Sequence, residues 1–178
     1  IIFIRGAPAV GKTTITKALL HQFKINYKKD CAYICEDNFR KQLQYKYKAR
    51  EPKAHQISAQ LIQSLIRKLL SFDTYDYIFI EGQFRYADII EHYAAFTNKH
   101  GFRRIWFQLD LDLETMRERD ERYRNTKSPD IEEVKKDLDG NAVPDCTAIQ
   151  TDQPLEKSVE QMLDILISQD IYTRPHNP

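Results

Sequence analysis

Gly6-Ala7-Pro8-Ala9-Val10-Gly11-Lys12-Thr13 follows directly on the apolar run Ile1-Ile2-Phe3-Ile4 and leads into Thr14 to Phe23, where Ile15, Ala18, Leu19 and Phe23 recur at helical spacing. The order is therefore strand, glycine-bounded turn, helix. The eight residues fit G-x-x-x-x-G-K-[ST] at every specified position. The two glycines let the backbone turn tightly and approach a bulky ligand, and successive N–H groups then point into one concavity. A helix beginning at Gly11 or Lys12 adds the positive end of its dipole, so the turn is built to cradle an anion.

Specific roles follow within the stretch. Gly6, Ala9, Val10, Gly11, Lys12, Thr13 and Thr14 are the expected contacts to the phosphates of a nucleoside triphosphate. Lys12 is placed to reach the β- and γ-phosphates as a mobile cation. The Thr13 hydroxyl is placed to give one oxygen to a magnesium ion that keeps most of its waters.

Beyond the turn, short apolar runs alternate with helical stretches. Strands are expected at 1–5, 31–35, 75–81, 103–110 and 147–150, and helices at 12–24, 55–72, 86–100, 112–124, 130–138 and 154–169. This alternation predicts an α/β protein with a five-stranded parallel sheet and helices on both faces, a three-layer arrangement. Ligands of such sheets gather at the carboxyl ends of the strands, so the residues just after each strand are the ones to inspect.

After the second strand comes Glu36-Asp37-Asn38-Phe39-Arg40. Asp37 can accept a proton from a hydroxyl that attacks a γ-phosphoryl group, and it equally suits a helix N-cap. After the third strand, Ile80-Glu81-Gly82-Gln83-Phe84-Arg85 places Glu81 where a carboxylate can hold magnesium waters. Arg85 can hold a substrate anion or make a surface ion pair. After the fourth, four arginines and a lysine fall within residues 117–127, flowing from a helix into a polar turn. That suits an Arg-rich lid over about 117–130, with Arg119, Arg122 and Arg124 contacting phosphate through their planar forks. An ordinary solvated helix paired through Glu114, Glu118 and Glu121 reads equally from the spacing. Asp112 is expected to cap that helix.

Composition narrows the setting. The 178 residues carry a net charge of +1 and contain nothing resembling a linker or repeat, so one domain is expected. No apolar stretch approaches the ~20 residues of a membrane span, and no signal-peptide pattern is read. Because the chain starts inside its first strand without a methionine, a few residues are expected to precede Ile1. Cys31, Cys35 and Cys146 are odd in number and lack metal spacing, so buried reduced thiols in a cytoplasmic protein are expected.

Taken together, these pieces resemble the phosphotransferase branch of P-loop kinases, and the resemblance spans residues 1–170. It implies the P-loop NTPase fold, ATP and Mg²⁺ as cofactors, and transfer of the γ-phosphoryl group to a hydroxyl. Asp37-Asn38-Phe39-Arg40 is similar to the D-x-x-R of polynucleotide 5′-hydroxyl kinases, which implies Asp37 as base and Arg40 as holder of a substrate phosphate. Ile80-Glu81-Gly82 with Arg85 resembles the zeta-toxin kinases, which act on nucleotide-activated sugars. Arg119-Asp120 and the segment Thr151 to Leu163 resemble adenylylsulfate kinases. Chloramphenicol-type phosphotransferases share the Asp base and the size.

The acceptor is then a small hydroxyl-bearing molecule or a nucleotide. Residues 40–50 interleave five cations with two tyrosines, which suits single-stranded nucleic acid as well as a solvated connector. A nucleotide-binding switch or NTPase module is the competing class. Asp37 and the arginine lid separate the two, because a switch needs neither.

Overall fold

The computed structural model describes residues 1–43, 51–72, 74–124 and 131–169 and, of residues 123 and 124, the backbone alone. The elements are β1 (Ile2–Arg5), α1 (Lys12–Asn26), β2 (Cys31–Cys35), α2 (Glu36–Gln42), α3 (Pro52–Ser71), β3 (Tyr77–Gly82), α4 (Ala87–Lys99), β4 (Ile105–Asp110), α5 (Leu113–Arg124), α6 (Ile131–Gly140), β5 (Cys146–Gln150) and α7 (Leu155–Ser168). All five strands are parallel, in the order β2-β3-β1-β4-β5.

Alternation along the strands explains why helices must cover both faces. Ile2 and Ile4 of β1 point into one core with Phe79 and Phe107, while Phe3 points into the other with Ile78, Ile80 and Trp106. The first core is closed by Leu19 and Phe23 of α1, Val134 and Leu138 of α6, and Met162 and Leu166 of α7. The second is closed by Ile62 and Ile66 of α3 and Tyr93 of α4. At its centre the Phe3 and Trp106 rings stack 4.1 Å apart, with Phe84 edge-on to both. Two filled cores fix β1 in the middle of the sheet, which puts residues 6–13 at its central carboxyl edge.

Two expectations change. Residues 36–42 form a helix that no periodicity announces, being seven residues long with Asp, Asn, Arg, Lys and Gln among them. Its N-cap is Cys35, so Asp37 lies in the first turn instead of capping it. The three cysteines are free as expected, yet each is half-buried at a strand end, not enclosed. Among the described residues no helix is long and apolar enough to cross a membrane.

Candidate active site

The turn between β1 and α1 has the conformation its residues demand. Gly11 sits at φ 97° as N-cap of α1, a left-handed geometry that glycine adopts without penalty. Gly6 is needed for space: a Cβ there would lie 2.8 Å from Val10 Cγ1 and 3.0 Å from the Leu109 carbonyl oxygen of β4. Ala9 is also left-handed, at φ 64°. The first turn of α1 contains no acidic residue, and its N-cap offers no side-chain hydrogen bond. The opening N–H groups therefore keep their capacity for an anion. The Lys12 ammonium donates to the carbonyls of Gly6 (2.9 Å) and Ala7 (2.8 Å), folded back over the loop it would leave to meet a phosphate.

Glu81 closes the site from β3. It is buried, its Oε1 accepts the Thr13 hydroxyl at 2.8 Å, and its Oε2 has no hydrogen-bond partner among the described residues. A hydroxyl beside a carboxylate with one oxygen in hand is a hard-oxygen donor set that fits Mg²⁺. Tyr33 and Cys35 of β2 lie against the same carboxylate. Burial first, and then Glu81, by hydrogen bond and charge on the phenol and by charge on the Cys35 thiol, push both groups up, so both stay protonated near neutrality. Burial likewise pushes Cys31 to about 12 and Cys146 to about 11, which keeps them inert.

The helix α2 projects Asp37, Asn38 and Lys41 toward the same space. Arg40 points the other way, into a buried cluster. It pairs with Asp37, lies 3.7 Å from Glu36 Oε1 through its Nε, and meets His55 Nε2 at 3.1 Å. His55 Nδ1 lies 3.0 Å from Glu36 Oε1, and the Ser58 hydroxyl donates to that oxygen at 3.4 Å. Burial would raise the Glu36 carboxyl, but the His55 hydrogen bond and the Arg40 charge outweigh it and hold the group below its ordinary value of 4.5. A depressed folded-state pKa contributes stability that is complete above the unfolded value and lost as pH falls through the folded one. Equilibrium unfolding between pH 6 and 3 should therefore lose a component below about pH 4.5 that Glu36→Gln lacks; identical acid slopes would contradict this.

The arginines divide. Arg119 of α5 stays at the cavity, its guanidinium donating to the Thr151 carbonyl at 2.8 Å, while Thr151 is itself tied to Asp110. Arg85 is buried and committed to α6, with Glu133 at 2.6 Å and Asp137 at 2.9 Å, so it serves an ion pair and does not line the cavity. Arg122 is exposed on α5. The side chain of Arg124, lid residues 125–130 and basic residues 44–50 lie outside the described residues. Asp112 caps α5 as expected, accepting from the Thr115 N–H at 2.8 Å.

One cavity of about 820 Å³ results. It gathers the loop from Ala9 to Thr14 with Asp37, Glu81 and Arg119, and leaves out Arg40 and Arg85. Its wall also includes Tyr33, Cys35, Asn38, Lys41 and Gln83, which sequence reasoning did not single out as site residues. Asp37, Asn38 and Lys41 share one helical face, a signal that became readable only once residues 36–42 were known to be a helix.

The sequence matches the family described as AAA domain over residues 1–139. The chain belongs to the AAA domain family. No curated protein matches it. This AAA domain superposes on a gluconokinase from Sinorhizobium meliloti 1021 with a TM-score of 0.68 at 12% identity, covering 96% of this chain and 94% of that one. It superposes on APE1195 with a TM-score of 0.67 at 16% identity, covering 94% of each. The Mycobacterium tuberculosis APS kinase CysC, solved with AMPPNP and APS, gives 0.69 at 11% identity over 93% of this chain and 96% of that one. At such identities the likeness establishes the fold alone: this AAA domain has the P-loop NTPase α/β fold, with its five-stranded parallel sheet, that these neighbours share.

Proposed function

We propose that this AAA domain is an ATP-dependent phosphotransferase that moves the γ-phosphoryl group to a hydroxyl acceptor, with Asp37 as general base. One observation carries the reading: an anion cradle at the centre of the sheet and a carboxylate at its β2 side face one cavity. Strands lie ~4.8 Å apart, so the residues after β2 and after β5 each stand about 10 Å from the cradle, on opposite sides. Arg119 and Thr151 then flank the nucleoside end of ATP, and Asp37 flanks the acceptor.

In this arrangement the N–H groups of residues 9–14 hold the phosphates, and Lys12 swings from the Gly6 and Ala7 carbonyls to offset charge on the β,γ-oxygens. Thr13 and Glu81 would hold Mg²⁺, which when bound neutralises phosphate charge. Asp37 accepts the proton of the acceptor hydroxyl as its oxygen bonds to the γ-phosphorus. The bond to the β,γ-bridging oxygen breaks, and ADP leaves with that electron pair. Lys41 favours an acceptor bearing an anionic group beside its hydroxyl. The three free thiols support a reducing, cytoplasmic setting.

The test is transfer from γ-labelled ATP to gluconate, adenylylsulfate, chloramphenicol and a 5′-hydroxyl oligonucleotide, with released phosphate counted separately. Label in an acceptor supports the reading, and label recovered only as inorganic phosphate favours the NTPase or switch class. Transfer should also stop in excess chelator and return with Mg²⁺. Glu81→Gln should raise the Mg²⁺ needed for half-maximal rate by roughly tenfold or more; full activity in chelator would contradict the metal role.

A further inference from the structure

The buried cluster behind Asp37 has an arrangement that packing alone does not call for. Glu36, His55 and Ser58 are 0–1% exposed and Arg40 is 5% exposed. Glu36 Oε2 makes no hydrogen bond among the described residues. It is pressed against Gly82, where a Cβ would come within 2.3 Å of it. Burying a charge pair with one oxygen unsatisfied is unfavourable, and apolar residues of similar volume are usually as stable or more so.

The hydrogen bonds within the cluster run one way. Arg40 has only N–H donors, so its 3.1 Å contact with His55 requires a lone pair on Nε2. A neutral imidazole then carries its proton on Nδ1, which donates to Glu36 Oε1 at 3.0 Å. Glu36 thus sets the tautomer of His55, His55 holds the Arg40 guanidinium, and Arg40 pairs with Asp37, whose side chain is 37% exposed at the cavity end of the chain. The Tyr86 ring also meets the imidazole, edge-on at 5.0 Å, and the Ser58 hydroxyl donates to the His55 backbone carbonyl at 2.9 Å.

We propose that His55 is a positioning residue for phosphoryl transfer: through Arg40 it fixes the Asp37 carboxylate toward the acceptor hydroxyl. The inference rests on the reading of Asp37 as base. Arg40 is then an internal strut, while Lys41, its neighbour in α2, lines the cavity.

The experiment uses the full chain, labelled ATP and the acceptor taken from the panel above. His55→Leu removes the Nε2 lone pair and should lower kcat by about 10–100-fold, as loss of an outer positioning partner does, with the KM for ATP changed less than twofold. His55→Gln, whose side-chain oxygen reaches the Nε2 position, should recover most of the rate. Combined with Asp37→Asn, His55→Leu should add almost nothing. Full kcat in His55→Leu while Asp37→Asn is inactive would overturn the His55 role and leave the base intact. Unchanged kcat in Asp37→Asn would overturn the base itself. A loss in His55→Leu shared equally by kcat, ATP affinity and ATP hydrolysis would show a structural role and overturn the proposal. Should the leucine variant not fold, ¹⁵N spectra of the unmutated protein decide. A proton on Nδ1 with Nε2 bare at pH 7 is expected, and a protonated Nε2 overturns the proposal.

Discussion

Replacing Lys12 by alanine should abolish measurable transfer while the protein stays folded. The ammonium lies over the cradle, donating to the Gly6 and Ala7 carbonyls of the loop itself. Removing one preorganised donor from developing transition-state charge lowers kcat by roughly 10²–10³, and loss of a full positive charge on a polyanion belongs at or beyond the upper end. Alanine is a good first-turn residue, and the two released carbonyls open onto a solvated cavity, so the melting temperature should shift by only a few degrees. Parallel rate and melting measurements check this; unchanged turnover would remove the phosphate-loop assignment.

Asp37→Asn should preserve ATP binding and folding yet lower kcat by roughly 10²–10⁴, the usual worth of a positioned general base. The amide is isosteric. It gives up a favourable charge in the first turn of α2 and a half-exposed partner for Arg40, together about 1 kcal/mol or less. Slow hydrolysis of ATP should survive, because water does not depend on the acceptor side. Transfer, hydrolysis and nucleotide affinity are to be measured separately. Equal loss of transfer and hydrolysis, or loss of neither, would show that Asp37 is structural.

The sheet and the cradle were legible in the sequence for local reasons. Each strand is a short apolar run, and residues 6–13 act through backbone geometry that Gly6 and Gly11 nearly determine by themselves. Thr13 and Glu81 were readable as separate oxygens, and the structure joins them at 2.8 Å. What stayed hidden depends on partners distant in sequence. Arg85 looked free to bind substrate because nothing near it announces Glu133 and Asp137, which only the folding of α6 against it supplies. Arg40 looked like a phosphate ligand for the same reason, until His55 arrived from α3. The helix α2 escaped because seven mostly polar residues carry too little periodicity to register.

The strand order has a consequence for how such a protein diversifies. On the proposed reading, the donor is addressed from the centre of the sheet toward β5 and the acceptor from the opposite, β2 margin. Recognition of the two substrates is therefore written in separate paragraphs of the chain. A lineage can rewrite the marginal one, exchanging the alcohol it modifies, without editing the shared energy source.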